Sequence, residues 1–172
     1  MAIFHCHIAV SLDGRIARPD GGIDWLEGHP PDAFGFDEFY AGVDAILMGR
    51  GTYDVVRAMP DWPYPGKPCV VVTRRPLDDA PAGVVAMGGD MAGIAAALEA
   101  EGHARIWVEG GGEVIRQMLA IGRLDVLEMA VLPIVLGDGI PIFPPGTPET
   151  ALRLVSCAAR PGGALHLVYE RR

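Results

Sequence analysis

Arginine stands three times just beyond the end of a short apolar run. Arg50 follows Ala45-Ile46-Leu47-Met48-Gly49, and Arg74 and Arg75 follow Cys69-Val70-Val71-Val72-Thr73. A third apolar run, Ala104 to Val108, ends in Glu109-Gly110-Gly111-Gly112. These residue types suit phosphate. Glycine lets an anion reach backbone N–H groups, and the guanidinium fork pairs with phosphate oxygens. A pyrophosphate on bare amides, with a separate monophosphate between arginines, is what NADPH presents and NADH does not. Each feature also has a plain reading: a glycine turn before a helix can be structural only, and Arg74-Arg75 before Pro76 can be a solvated turn. Their coincidence at three segment ends favours the ligand-binding reading. The spacing is not the G-x-G-x-x-G of the dinucleotide fingerprint, and no G-K-[ST] follows as in a P-loop.

The elements around these residues alternate. Ala2 to Val10 reads as a strand, Ser11 to about Gly28 as a long loop, and Asp32 to Ala41 as a short helix. Asp44 to Met48 and Pro68 to Thr73 read as buried strands, Gly83 to Met87 as a shorter one, with a helix starting at Thr52 to Ala58. Met91 to Glu101 has helical composition, Ala104 to Glu109 is a strand, and Val114, Ile115, Met118 and Leu119 recur at helical spacing. Leu124 to Leu136 is one strand-like run, and Leu152 to Ala159 with Ala164 to Glu170 forms a hairpin through Arg160-Pro161-Gly162-Gly163. The order predicts an α/β fold: a mostly parallel central sheet, helices on both faces, and an antiparallel C-terminal edge. In such a sheet the carboxyl ends of strands share one edge, where ligands bind. Two of the three arginine- or glycine-bearing ends lead into helix N-termini, which attract anions.

Composition narrows the partners. The 172 residues carry a net charge of −8, which argues against nucleic acid and anionic membranes. No apolar run reaches the ~18 to 20 residues of a membrane span, and no signal peptide follows Met1, so a cytoplasmic setting is expected. Cys6, Cys69 and Cys157 are scattered singly and read as reduced thiols. His5 and His7 share one face of the first strand, but two imidazoles without a third ligand nearby make no metal site; none is expected.

The segments Ser11 to Ala17 (SLDGRIA), Ala45 to Tyr53 (AILMGRGTY), Val70 to Pro76 (VVVTRRP), Ile106 to Leu119 (IWVEGGGEVIRQML) and Pro133 to Phe143 (PIVLGDGIPIF) resemble the dihydrofolate reductase-like superfamily. Within it they are more similar to the branch of the RibD C-terminal reductase domain of riboflavin biosynthesis. The resemblance runs from about Ile3 to Tyr169 and implies a single domain, 1–172, with the three-layer dihydrofolate reductase-like sandwich. It implies that Gly49, Arg50, Gly51 and Thr52 meet cofactor phosphates, and that Thr73, Arg74 and Arg75 surround the adenosine 2′-phosphate. Gly110, Gly111, Gly112, Glu113 and Val114 would take the pyrophosphate and nicotinamide side, with Ala9 and Ile16 against the nicotinamide. Trp25 corresponds to the tryptophan by the mobile loop of the folate enzymes, at the substrate side, or is loop packing.

Hydride transfer from NADPH also needs a proton source. Folate reductases use a buried carboxylate on the first helix. Asp32, Asp37 and Glu38 are the counterparts here, and Asp37 is preferred because Ala33, Phe34, Tyr40 and Ala41 would be its helical neighbours. Glu109 is the second catalytic and substrate-binding candidate: beside a phosphate turn its charge must face substrate or an arginine. RibD-type reductases carry a glutamate there, whereas folate reductases usually have an apolar residue. No H-x-E or P-C-x-x-C deaminase signature accompanies it, which implies a stand-alone reductase. The expected function is an NADPH-dependent reductase like the 5-amino-6-(5-phosphoribosylamino)uracil reductase, acting on a small carbonyl or imine. The alternatives are a dihydrofolate reductase and a non-catalytic NADPH-binding protein. The resemblance further implies a homodimer.

Overall fold

Apolar runs bounded by Gly, Pro and Asp form the strands of the computed structural model, which describes residues 1–172. The first, β1 (Ile3–Ser11), is followed by a short β2 (Arg15–Ala17), 3-10 turns at Asp24–Leu26 and Pro31–Phe34, and α1 (Phe36–Ala41). Next, β3 (Ala45–Gly49) runs into α2 (Arg50–Arg57), and β4 (Cys69–Val72) and β5 (Val84–Met87) precede α3 (Met91–Ala100). Then β6 (Arg105–Gly110) enters α4 (Gly112–Ala120), followed by β7 (Val126–Leu132), a two-residue β8 (Ile140–Pro141), and the hairpin β9 (Leu152–Ala159) and β10 (Leu165–Arg171).

Eight strands make one sheet in the order β5-β4-β3-β6-β1-β7-β10-β9. From β5 to β7 every pairing is parallel; β10 and β9 are antiparallel. The antiparallel edge lies where the hairpin signal predicts it. A parallel strand covered on both faces must be apolar throughout, which is why β3 and β4 show no polar alternation. One face of the sheet packs Phe4, Leu47, Ile106 and Val108 against Ile94 and Leu98 of α3 and Ile115 and Met118 of α4. The other packs Ile46, Met48, Val71 and Trp107 against Phe39 of α1 and Tyr53 and Val56 of α2. These are the three layers expected. A third cluster, Trp25, Phe34, Ala130, Leu132 and Ala164, lies under the β1–α1 connection.

Three element readings change. The helix expected from Asp32 to Ala41 is broken at Gly35, whose φ of 72° leaves the right-handed region, so Asp32 sits in a 3-10 turn and Asp37 in a separate six-residue helix. The loop expected from Ser11 to Gly28 contains β2, which pairs with β8. The long strand expected from Leu124 to Leu136 ends at Leu132, before Pro133, which has no N–H to continue a ladder. No helix is long and apolar enough to cross a membrane.

Candidate functional site

The three strand ends singled out by their arginines and glycines belong to β4, β3 and β6, consecutive strands of the sheet. Gly49 is the N-cap of α2 and Gly111 of α4, and neither helix start is capped by a side chain. By contrast, Asp90 caps α3 by accepting from the Gly93 N–H at 2.7 Å. No side chain therefore competes with an anion for the first-turn amides of α2 and α4, although the Val114 N–H is turned back to the Gly111 carbonyl at 3.0 Å. The two starts lie against each other: a Cβ on Gly49 would come within 3.1 Å of Val114 Cγ2 and 3.7 Å of the Gly110 carbonyl. On Gly51 a Cβ would meet nothing within 4 Å.

The three successive glycines answer to three different demands. Gly110 has φ 107° and packs near Ile8 and Ile115, and its peptide bond to Gly111 is cis. Gly111 is partly exposed, with its missing Cβ 3.5 Å from both Ile16 Cδ1 and Thr52 Oγ1. It is the glycine over which a ligand can lie. Gly112 is buried, and a Cβ there would stand 2.3 Å from the Pro141 carbonyl oxygen, so the β8 backbone covers its Cα and only its N–H is left for the turn. The Val114 side chain is 3 % exposed, in the core behind Gly49. The Glu113 side chain turns outward to the Arg116 Nε at 2.8 Å, leaving only its backbone N–H for the turn.

Arg50 donates to Asp54 Oδ1 at 2.7 Å and to the Pro76 carbonyl at 3.2 Å, which ties the start of α2 to the turn after β4. In that turn Thr73 Oγ1 accepts from the Arg75 N–H at 3.1 Å. Thr73, Arg74 and Arg75 line an open recess of ≈ 530 Å³ with Gly88 and Gly89. Both arginines are exposed, and the arginine ion pairs of the protein all involve other residues.

Glu109, at the end of β6, is sunk among aromatic rings. Its Oε1 accepts from the Tyr64 hydroxyl at 2.5 Å, while Oε2 is sealed from solvent without a partner. Trp107 lies edge-on to Tyr64, with centroids 5.3 Å apart. Burial pushes the Glu109 carboxyl up to about 7, against the Tyr64 hydrogen bond, which favours the charged form. Burial and the adjacent carboxylate push the Tyr64 hydroxyl strongly upward. Tyr64 is a site residue that sequence reading missed. Its only local signal is an aromatic between prolines in Trp62-Pro63-Tyr64-Pro65, and no spacing relates it to Glu109.

Ala9 opens onto a second, apolar cavity of ≈ 490 Å³ bounded by Leu26, Phe34, Phe36, Ala130 and Leu132, with His7 at its base. Ile16 is not part of that lining and lies over Gly111 instead. Trp25 is 7 % exposed and packs behind the cavity on Phe34, Ala130 and Leu132. Asp37 is corrected: it is exposed, because the break at Gly35 turns Phe36 and Phe39 inward and leaves Asp37 and Glu38 facing water. No carboxylate of α1 is buried.

The sequence profile of the RibD C-terminal domain family matches residues 3–165. The chain is 38 % identical over 167 residues to the uncharacterized Bacillus subtilis (strain 168) protein YwjB, covering 96 % of this chain and 95 % of that one. It superposes with a TM-score of 0.87 at 31 % identity on a Shewanella sp. PV-4 protein provisionally assigned to riboflavin biosynthesis, covering 100 % of this chain and 99 % of that one. Dihydrofolate reductase from Enterococcus faecalis, solved with NADP(H), shares the fold at a TM-score of 0.72 and 20 % identity over 99 % of this chain and 96 % of its own. With a family match across nearly its whole length, the chain belongs to the RibD C-terminal domain family, within the dihydrofolate reductase-like fold.

Proposed function

We propose that the protein is an NADPH-dependent reductase that delivers hydride to the C=O or C=N carbon of a small molecule. The observation that carries this reading is the adjacency of two uncapped helix N-termini and an unpaired Arg74-Arg75 turn on consecutive strand ends. The residues present fit the cofactor. The amides opening α2 and α4 would hold its pyrophosphate across Gly111, and Thr73, Arg74 and Arg75 its 2′-phosphate. Ile16 and Ala9 would border the nicotinamide, between Gly111 and the apolar cavity. NADPH bound there supplies the hydride.

What the chain must add is a dry compartment and a proton. The cavity beyond Ala9 has mostly aliphatic and aromatic walls, which would disfavour water once a substrate fills it. Glu109 is the proton source of this reading, since its carboxyl lies near neutrality and Oε2 has no competing partner within the protein; it does not line the cavity, so its proton would reach the substrate through a relay. A folate substrate is less well supported, because α1 offers no buried carboxylate to protonate a pterin. A homodimer belongs to the same reading: β9 is an edge strand with Leu154 50 % and Val155 47 % exposed, and sedimentation should give twice the mass of one chain. Titration of NADPH and NADH into the protein, followed by nucleotide fluorescence, tests the core of the proposal. Micromolar NADPH binding with much weaker NADH binding is expected; no NADPH binding at millimolar concentration would overturn it.

A further inference from the structure

Four side chains converge beneath the apolar cavity. His5 and His7 come from β1, Glu128 from β7 and His166 from β10, brought together because these strands are neighbours in the sheet. Arg160 Nη2 lies 2.9 Å from His166 Nδ1. A guanidinium only donates, so Nδ1 holds the lone pair and the ring proton sits on Nε2, 2.6 Å from Glu128 Oε1. His5 Nε2 occupies the other carboxylate oxygen at 2.7 Å. His7 Nε2 is 3.2 Å from the Phe34 carbonyl and 3.6 Å from Glu128 Oε1, both acceptors, so it too carries a proton. Three imidazoles around a carboxylate could be mistaken for a metal centre. A cation there would have to displace the protons that these hydrogen bonds place on Nε2 of His7 and of His166.

The network therefore fixes His7 in one tautomer. With its hydrogen on Nε2, the neutral ring has its lone pair on Nδ1, which bonds to no protein group and is not sealed from the cavity. Burial lowers the His7 pKa despite Glu128, with His5 and His166 acting in the same direction, which keeps the ring neutral at neutral pH. Phe39 stacks on His7 at 4.9 Å and Phe36 meets it edge-on at 5.5 Å, so the ring cannot swing away. The rest of the lining contains no lysine, arginine, aspartate or glutamate; its one other ionisable group is His29. A sugar phosphate placed there would bury a dianion without a cation to pair it.

We propose that the cavity takes a flat, uncharged ring compound that presents an N–H or O–H donor to Nδ1 of His7, and that it does not take a sugar phosphate. This deepens the reductase reading, on which it rests for the identification of the cavity as the substrate side. Its size, ≈ 490 Å³, is ample for a heterocycle, and Phe34 and Phe36 form part of its apolar wall.

The test is calorimetric titration of the full chain, with and without NADPH. The probes are quinazolin-4-one, which has one N–H donor, its N3-methyl derivative, which has none, and ribose 5-phosphate. Quinazolin-4-one should bind about tenfold more tightly than the methylated compound, as expected for one buried hydrogen bond. His7→Phe should abolish that preference. Leu26→Trp, which fills the cavity from its partly exposed wall, should abolish binding of both compounds without touching His7. Ribose 5-phosphate binding as tightly as quinazolin-4-one, or equal affinity for the two quinazolinones in the unmutated protein, would overturn the proposal. The titrations without NADPH separate it from the reductase reading, which stands or falls on the nucleotide alone.

Discussion

Tyr64 and Glu109, 45 residues apart in the chain, meet at 2.5 Å, and this contact sets the acid–base character of the site. Burial drives the carboxyl to about 7, while the phenol, as a donor, holds it from going higher. The second effect needs both residues.

The first expected outcome concerns stability. The folded pKa of Glu109 lies above its ordinary value of 4.5. Native protein therefore keeps a proton between about 4.5 and 7 that the unfolded chain has released. The sign follows: stability linked to this group is fully present below about 4.5, falls as pH rises through that window, and is lost above about 7. Glu109→Gln cannot ionise and should escape the loss. Its melting temperature should match the parent near pH 4.5 and exceed it at pH 8, by the equivalent of a few kcal/mol at about 1.4 kcal/mol per pKa unit. A difference that does not vary with pH would refute this.

If Glu109 delivers the proton, kcat should fall as pH rises through about 7, where the carboxyl ionises. Tyr64→Phe removes the hydrogen bond that favours the carboxylate, so the falling limb should move to higher pH. A pH–rate profile of the two proteins side by side decides it, and a limb that stays put or moves to lower pH counts against the assignment.

Arg74→Gln combined with Arg75→Gln should weaken NADPH binding about tenfold to a hundredfold and leave NADH binding unaltered, because only the 2′-phosphate meets those charges. Equal losses for both nucleotides would mean that the arginines act on the fold or on the pyrophosphate instead.

Gly111→Ala and Gly112→Ala should fail differently. At Gly111 an added methyl meets only ordinary contacts at 3.5 Å, so the protein should fold with nearly its parental melting temperature and bind NADPH poorly. At Gly112 it would stand 2.3 Å from a backbone oxygen, so the melting temperature itself should drop. Thermal melts with and without NADPH read out both.

Asp37→Asn should leave turnover and its pH profile unchanged, since the side chain points to solvent away from the cavity. A change in kcat of more than about twofold in steady-state assays would restore it as a candidate.

What the sequence by itself determined is local. Continuous apolar runs gave β3, β4 and β6, helical composition gave α3 and helical spacing α4, and Arg160 to Gly163 marked the closing turn, because composition, periodicity and turn chemistry act over a few residues. The strand ends that the proposed ligand edge uses were legible too, since they carry their own glycines and arginines. Which of Gly110, Gly111 and Gly112 is open was decided by β8, a segment some thirty residues further along that lies over the third of them. The Tyr64–Glu109 pair and the meeting of His7 with Glu128 and His166 likewise belong to the tertiary structure. They depend on which strands become neighbours, and the order β6-β1-β7-β10 draws together residues from both ends of the chain by burying a shared sheet, a long-range free-energy minimum that no local spacing encodes.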